Sequence, residues 1–349
     1  MSETTSCPIC HSERTRFLFE GWDLMFGHPD SALVYQCRNC RHIFVAGELT
    51  PEQLTDMYSN YYPRAQYDDE TYEPYKEKGR FLYWLDGEEW HAFRHVPRSP
   101  IIPPPQFAHL NRNALRVLDI GCGFCESLGY HQARGCEVYG VEADENAKKI
   151  ADRYGFNVHI GLFDPSLYEP EFFDYVTMDE VFEHIIHPLK TLREVNSILK
   201  PGGMFVANAP NPNSPGRLIF GTRWASLHLP YHRHFYSRKS IDILAQESGF
   251  HVHKMKSATI SSQLLNLWAF YFCAGKPGQK AQEAVQRCGI HLSADVQKQW
   301  HVQFYTFLKK TRLLSLPMRL ADLCGIGDWN IIILQKKSPT APARKNRCC

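Results

Sequence analysis

The chain has 349 residues and a formal net charge of +2, from 39 basic and 37 acidic side chains. That length exceeds the usual size of one domain and predicts a main domain of roughly 150 to 250 residues with additions. A charge this close to zero lacks the basic excess of a nucleic-acid binder, so we expect no nucleic-acid partner. Because no run of about 18 apolar residues occurs, we expect no transmembrane segment and a cytoplasmic protein with reduced cysteines.

Two Cys-x-x-Cys pairs occupy the first predicted unit, residues 1–49. Cys7 and Cys10 form one pair, and Cys37 and Cys40 form the other after a further 26 residues. Four thiolates with this spacing can close tetrahedrally around zinc in a structural site that has no open position. The alternative, four unrelated free cysteines, requires both spacings to arise by chance. We therefore predict a zinc-ribbon-like module that holds a structural Zn²⁺ and takes no part in catalysis.

Residues 50–113 are predicted to form a connector or helical lid. Thr50 and Pro51 are the residue types that begin a helix, as a capping side chain and a first-turn proline. Tyrosines recur along this segment without a clean period, and we expect them to pack against the main domain; a wall beside a substrate is the alternative. The proline-rich run from Pro97 to Pro105 is stiff extended chain and a predicted boundary.

From residue 114 the sequence alternates strands with helices. The first strand is the apolar run from Val117 to Ile120, which ends at Gly121 and Gly123. Further strands are predicted over residues 136–141, 156–160, 173–178, 204–208, 250–260 and 329–335, and helices over residues 126–134, 146–154, 188–199 and 237–249. This alternation predicts a Rossmann-like α/β fold, a seven-stranded doubly wound sheet whose ligands bind at the carboxyl ends of its strands.

A predicted helical insertion, residues 261–328, precedes the last strand, which we expect to be antiparallel. The insertion has eight basic residues against four acidic ones. Its apolar segments are expected to form core or homodimer contacts, with a membrane-surface role as the alternative. The main domain is thus predicted to span residues 114–337, and the polar, basic tail, residues 338–349, is predicted to be disordered.

The glycine turn after the first strand does not fit the nicotinamide pattern. That pattern, G-x-G-x-x-G, requires a third glycine where this chain has Glu126. The order of motifs instead resembles the class I S-adenosylmethionine (SAM)-dependent methyltransferases, in the small-molecule branch that includes ubiquinone-type and polysaccharide-cluster enzymes. The matching stretches are Asp119-Ile120-Gly121-Cys122-Gly123, Val141-Glu142, Phe173 to His184, Leu199 to Gly203 and Ala209-Pro210-Asn211.

The resemblance covers residues 114–260 closely. It extends to the four cysteines and to Tyr61-Tyr62, because several members of the branch carry a four-cysteine module followed by a Tyr-Tyr segment. One position departs from the family, which usually has glycine where this chain has Cys125. A thiol would then stand beside the amino-acid end of the cofactor, and this affects how tightly SAM is expected to bind.

The resemblance implies a SAM site at the carboxyl ends of the first four strands of the main domain. Glu142, at the tip of the second strand, can accept hydrogen bonds from both ribose hydroxyls. The alternatives are a surface carboxylate for Glu142 and a helix cap for Asp164, which the resemblance places at the adenine amine. The predicted cofactor-binding residues are Asp119, Gly121, Cys122, Gly123, Glu142, Phe163, Asp164 and Asp179.

Methyl transfer is a direct displacement, so alignment and exclusion of water supply much of the acceleration. A base is required only if the acceptor must lose a proton early, and neutral histidine has a suitable pKa range. Related sequences carry a histidine that resembles His232, and in sugar C-methyltransferases a comparable tyrosine and histidine group is catalytic. The predicted catalytic residues are His232, His184, Tyr231 and His234, with a structural role in the loop as the alternative.

The fourth strand is followed by Asp179-Glu180-Val181-Phe182, and not by the Asn-Pro-Pro-Tyr type of tetrapeptide that flanks a flipped adenine or an amide. This disfavours nucleic-acid and amide methylation. We expect SAM-dependent methylation of a small-molecule hydroxyl, on a sugar or secondary-metabolite intermediate, with sugar C- or N-methylation as the alternative. A non-catalytic SAM-fold protein that serves as a zinc-bearing interaction module is the alternative of another class.

Overall fold

The computed structural model describes residues 5–62, 84–85, 90–100, 114–259, 307 and 315–338. Most of the predicted insertion, most of the predicted tail and the central part of the predicted connector lie outside these described residues. The strands are β1 (Thr15–Trp22), β2 (Ser31–Cys37), β3 (Ile43–Val45), β4 (Arg116–Ile120), β5 (Glu137–Glu142), β6 (Asn157–Ile160), β7 (Phe173–Met178), β8 (Leu199–Pro210), β9 (His234–Phe235), β10 (Phe250–Ala258) and β11 (Trp329–Lys336). The helices are α1 (Pro51–Asp56), α2 (Glu126–Gln132), α3 (Ala147–Tyr154), α4 (Pro188–Ile198), α5 (Pro215–Phe220), α6 (Arg238–Glu247) and α7 (Ser315–Leu323).

Seven strands form the main sheet, in the order β10-β11-β8-β7-β4-β5-β6. Neighbouring strands from β8 to β6 are parallel, and β11 runs antiparallel to both β8 and β10. The apolar run of β4 is fully buried at Val117 and Leu118, as expected of a central parallel strand that is covered on both faces. The predicted Rossmann-like α/β fold with seven strands and a last antiparallel strand is therefore confirmed.

Helices cover both faces of this sheet. On α4 and α6 the buried side chains belong to the largest core cluster, whereas Leu128 of α2 and Ile150 of α3 belong to a second cluster with Val117. Two helix caps are present: Ser237 Oγ accepts from Ser240 N at the start of α6, and Thr50, which the sequence predicts as a capping residue, accepts from Gln53 N at the start of α1. These caps set the residues at which α6 and α1 begin.

Strand β8 is longer than the predicted strand 204–208. It starts at Leu199, immediately after α4, because Leu199 pairs with Phe173 across an irregularity in the ladder between β7 and β8. The Lys200-Pro201-Gly202-Gly203 stretch, which lies between the predicted helix and the predicted strand, is thus part of β8. The extra residues are accommodated by a shift in register between β7 and β8.

A second sheet of four strands joins the N-terminal segment to the main domain. Its order is β1-β2-β3-β9, and β9 pairs antiparallel with β3 through Phe235 opposite Ile43. The N-terminal strands also share a core cluster with later residues of the chain, including Trp224, Leu227 and Phe235. The residues predicted as a zinc-binding module therefore do not complete their sheet alone, because its fourth strand, β9, comes from the segment that carries His232 and His234.

Candidate functional site at the carboxyl edge of the main sheet

The glycine turn after β4 has the backbone conformation that the sequence predicts. Gly121 and Gly123 have φ angles of +74° and +49°, in the left-handed region that favours glycine. Gly121 N and Cys122 N both donate to Val141 O, over 2.8 and 3.1 Å, which ties the turn to β5. A Cβ on Gly121 would lie 2.4 Å from Val181 Cγ2, whereas one on Gly123 would meet nothing within 4 Å. The turn is thus packed against the residues after β7 at one glycine and open at the other.

Alanine substitutions should distinguish Gly121, which is packed against Val181, from Gly123, which faces open space. Gly121→Ala is expected to lower the free energy of unfolding by about 2 to 4 kcal/mol, since it adds left-handed strain to overlap with Val181. Gly123→Ala adds the strain alone and should cost about 1 to 2 kcal/mol. Urea unfolding of both variants measures the difference, and equal losses at the two positions would show that contact with Val181 is easily relieved.

Glu142 ends β5 beside the glycine turn. Its Oε2 accepts from Gly123 N over 2.8 Å, and its Oε1 accepts from Asp144 N over 2.9 Å. The half-buried carboxylate is therefore held over the open part of the turn rather than left as a free surface group. Both oxygens retain lone pairs that a ligand's hydroxyls can use.

Asp119 is buried and has protein partners for both oxygens. Ser127 Oγ donates to Oδ2, and Thr177 Oγ1 donates to Oδ1 over 2.5 Å. Burial raises the pKa of Asp119 to about 7, although the two hydroxyl donors oppose this rise. Asp119 thus links β4, β7 and α2 beneath the turn, and its side chain positions the turn instead of facing the open space.

Asp179, just after β7, is bound by the connector. Its Oδ2 lies 2.6 Å from His91 Nδ1, and its Oδ1 accepts from Ala92 N over 2.7 Å. Burial alone would lower the pKa of His91, but the neighbouring Asp179 carboxylate raises it above its usual value. His91 was not predicted from the sequence, because no periodicity in the connector singles it out.

Two further predicted cofactor residues follow β6. Asp164 is exposed and caps a short 3₁₀ turn, since its Oδ1 accepts from Ser166 N over 2.9 Å. This is the capping alternative weighed from the sequence, and it leaves the other oxygen and the exposed face open. Phe163 is partly buried against the main core cluster. Both residues lie at the same edge of the sheet as the glycine turn.

Cysteine stands at a position of the turn that normally requires glycine. Cys125 has a φ of +62° and is fully buried at the start of α2. The neighbouring thiol of Cys125 and burial together raise the pKa of Cys122 well above its usual value. The Cys122 side chain packs toward the sheet, because a Cβ on Gly140 would lie 2.7 Å from its Sγ. Only the backbone of Cys122 therefore lines the open turn.

Two of the four predicted catalytic residues come together after β7. Glu183, His184 and His232 each offer a ligand atom, and these atoms lie within 4.8 Å of one another. Arg233 N donates to Glu183 O over 2.9 Å, which fastens the loop after α5 to the segment after β7. His184 Nδ1 lies 3.2 Å from Tyr58 OH, and His232 Nδ1 lies 2.9 Å from Ser226 O.

The other two predicted catalytic residues, Tyr231 and His234, are not part of this group and have different surroundings. Tyr231 is buried, contacts the rings of Tyr58 and Tyr62, and its OH lies 3.4 Å from Asp23 Oδ2. His234 belongs to β9, and its Nδ1 lies 3.0 Å from His42 Nε2 in the second sheet. His234 therefore has the structural environment that was weighed as the alternative, whereas Tyr231 forms part of an aromatic wall beside His184.

Burial controls the protonation of the histidine cluster. It lowers the pKa of His184 to about 4 and that of His228 to about 3, and it lowers the pKa of His232 well below its usual value. The imidazoles are therefore neutral at physiological pH and can accept a proton or bind a cation. Burial raises the pKa of Glu183 well above its usual value. Glu183 and His228 were not predicted as site residues from the sequence, whereas Tyr58 is one of the connector tyrosines for which a wall beside a substrate was the alternative.

The four predicted zinc ligands also converge. Cys7 and Cys40 have their Sγ atoms 3.6 Å apart, and Cys10 and Cys37 have theirs 3.5 Å apart, with all four within 4.8 Å of one another. Cys40 N and Asn39 Nδ2 donate to sulfurs of the group, as donors around thiolate ligands do. The arrangement fits a four-thiolate zinc site.

Among the described residues, no helix is long and apolar enough to cross a membrane.

Comparison with known proteins matches the central part of the chain. Residues 92–255 match a family model described as a methyltransferase domain. A ubiquinone biosynthesis O-methyltransferase of Paraburkholderia phymatum is 30% identical over 143 residues, which are 38% of this chain and 60% of that protein. One from Cereibacter sphaeroides is 34% identical over 140 residues, 38% of this chain and 56% of that protein. The chain thus spans less than two thirds of the length of these curated relatives.

Solved structures with a similar arrangement are distant in sequence. A SAM-dependent methyltransferase from Archaeoglobus fulgidus superposes with a TM-score of 0.39 at 19% identity, over 66% of this chain and 90% of that one. A geranyl diphosphate methyltransferase in complex with SAM gives a TM-score of 0.42 at 14% identity, over 73% of this chain and 86% of that one.

Proposed function

We propose that this chain, whose residues 92–255 match the methyltransferase-domain model, transfers a methyl group from SAM to a hydroxyl of a small molecule. The proposal rests mainly on the contact between the segments that follow two neighbouring strands, β4 and β7. The glycine turn after β4 packs on Val181, in the segment after β7 that ends at His184. A cofactor in the open turn and an acceptor at the histidines would therefore be adjacent.

The residues around the turn fit SAM. The Glu142 carboxylate would accept from the ribose hydroxyls, the backbone from Gly121 to Gly123 would face the methionine portion, and Asp164 with Phe163 would meet the adenine. Asp119 would support the turn from below, and Asp179 would lie near the sulfonium. SAM supplies an electrophilic methyl group on sulfur, so the protein's task is to align the acceptor and exclude water.

The acceptor hydroxyl is proposed to lie against His184 and His232, with Tyr58, Tyr62 and Tyr231 as an aromatic wall. Neutral imidazole at this position can take the hydroxyl proton as the methyl group is transferred. The names of the relatives support O-methylation over the C- and N-methylation that the sequence left open. A sugar or a secondary-metabolite intermediate is the proposed acceptor class, since ring hydroxyls next to apolar faces match a site of polar groups and aromatic rings.

The four cysteines are proposed to hold a structural zinc ion that stabilises the second sheet. Its role is indirect, because β3 of that sheet pairs with β9, two residues after His232. The non-catalytic alternative, a zinc-bearing interaction module, predicts no binding of SAM. Isothermal calorimetry with SAM tests the proposal, and a chain that binds zinc but no SAM would contradict it.

Loss of the Glu142 carboxylate should weaken SAM binding. Glu142→Ala removes the acceptors for two ribose hydroxyls and releases Gly123 N, so the Kd for SAM is expected to rise by about 10- to 100-fold. Calorimetry measures the change. Glu145→Ala removes an exposed carboxylate three residues away and is the matched control. If the two variants bind SAM equally well, the assignment of Glu142 is wrong.

A further inference from the structure

We infer that His91, a residue of the connector, determines how strongly the cofactor site prefers the cationic SAM over its neutral product, S-adenosylhomocysteine. The inference rests on the proposed function, which puts the sulfonium near Asp179. His91 Nδ1 lies 2.6 Å from Asp179 Oδ2, so a protonated His91 neutralises the carboxylate that the sulfonium would meet. The charge at that end of the site is therefore set by a residue outside the main sheet.

The connector holds both oxygens of the Asp179 carboxylate. Ala92 N donates to Oδ1 over 2.7 Å, while the His91 ring lies against Oδ2. The side chains of His91 and Asp179 are 25% and 16% exposed, so solvent screens their interaction only in part. The carboxylate is thus fixed in position, and the protonation of His91 decides whether its charge is compensated.

Contacts of its neighbours hold His91 in place. The carbonyl of Trp90 accepts from Asn208 Nδ2 over 3.1 Å, and Asn208 Oδ1 in turn accepts from Glu180 N. Asn208 is fully buried near the end of β8, and the ring of Trp90 packs on Trp329 of β11 with centroids 5.2 Å apart. The backbone at His91 is therefore bound to β8 and β11, beside the segment that follows β7.

Three carboxylates among the described residues act on the charge of His91. Desolvation alone would lower the pKa of His91, but Asp179 and then Glu180 and Glu126 raise it above its usual value. The imidazolium consequently persists above about pH 6.5 and is lost as the pH rises further. Desolvation and the Asp179 charge raise the pKa of Glu180 to about 7, so this carboxyl titrates in the same range. Desolvation lowers the pKa of Arg94, on the same turn as His91, to about 10, and Arg94 stays charged near neutral pH.

This pair distinguishes cofactor from product because methyl transfer removes the positive charge from the sulfur. With His91 protonated, the pair is neutral and favours neither compound. With His91 neutral, the Asp179 carboxylate attracts the sulfonium of SAM but not the thioether of S-adenosylhomocysteine. His91 thus adjusts the competition between the two compounds for one site, without touching the acceptor.

Calorimetry on the full chain with SAM and with S-adenosylhomocysteine tests this role. The measured quantity is the Kd for the product divided by the Kd for SAM, in wild type and in His91→Asn. The asparagine amide can donate to Asp179 as the protonated ring nitrogen does, but it carries no charge. At about pH 6.5 the Kd ratio is expected to be about 5- to 10-fold higher in His91→Asn than in wild type. A displaced connector would instead weaken the binding of both compounds alike and leave the ratio unchanged.

The pH dependence separates the charge of His91 from other titrations. Between about pH 6 and pH 8.5 the wild-type ratio should rise toward that of His91→Asn, as the imidazolium loses its proton. Glu180 and the amino group of the ligand titrate in both proteins, so the difference between their pH curves reports His91. His251→Asn changes an exposed histidine near the start of β10, at the opposite edge of the sheet, and should match wild type at every pH.

Circular dichroism checks that His91→Asn is folded, and His91→Gln provides a second uncharged variant if it is not. A wild-type chain that binds both compounds, with the same Kd ratio as the folded variant over the whole pH range, would reject the role of His91 alone. A wild-type chain that binds neither compound would reject the proposed function, and the role of His91 with it.

Discussion

Replacing His232 with alanine is expected to slow methyl transfer by about 10²- to 10⁴-fold, while the Kd for SAM stays within about twofold. The imidazole is buried next to His184 and Glu183, on the acceptor side of the proposed site, and its contacts do not include the glycine turn. Its loss removes the proposed proton acceptor, which is needed only during transfer. Transfer is measured with labelled SAM on an acceptor found by screening glycosylated and phenolic compounds.

The matched histidine variants sharpen this prediction. His184→Ala should have an effect of similar size, because His184 shares the cluster and binds Tyr58 OH. His234→Ala should act mainly on stability, since His234 contacts His42 in the second sheet. The exposed His187→Ala should leave the rate unchanged. A His232→Ala variant that transfers methyl groups at the wild-type rate would remove this cluster from the reaction.

The main sheet could be predicted because its strands, helices and turns have local sequence patterns. Central parallel strands such as β4 and β7 are short apolar runs, and helices between them begin at caps such as Ser237. The glycine turn after β4 required positive φ angles, which the spacing of Gly121 and Gly123 indicated. These features depend on residues within about ten positions of one another, so one sequence is enough to identify them.

The features that were missed depend on contacts between distant parts of the chain. Strand β9 has two residues and therefore no period, so its pairing with β3 could not be predicted. The hydrogen bond between His91 and Asp179 joins positions 88 residues apart. Glu183 looks like an ordinary charged residue in the sequence, and only the fold shows that it is fully buried. The glycine turn was thus predictable in outline, whereas only His184 and His232 of the group around Glu183 were identified from the sequence.

Loss of one proposed zinc ligand should affect transfer, although none of the four cysteines of the N-terminal segment lies at the carboxyl edge of the main sheet. Cys37→Ser is expected to abolish binding of the proposed structural zinc ion, and zinc binding in comparable small sites provides about 10 to 16 kcal/mol of apparent folding free energy. The β1-β2-β3 strands would loosen, and with them the pairing of Ile43 with Phe235. Because a displacement of about 1 Å at reacting groups can cost about 10²-fold, transfer should fall by that order.

The second sheet pairs with the segment that carries His232, and Glu142 and the glycine turn are not part of that segment. Cys37→Ser should therefore change the Kd for SAM much less than the rate of methyl transfer. Zinc content, calorimetry with SAM and the labelled-methyl assay on one preparation give the three quantities. Cys324→Ser, which changes an exposed cysteine outside the four-cysteine site, is the control and should match wild type in all three. A zinc-free Cys37→Ser protein with an unchanged rate of methyl transfer would show that the loop carrying His232 keeps its position without the second sheet. The pairing of β9 with β3 would then stabilise the N-terminal segment only.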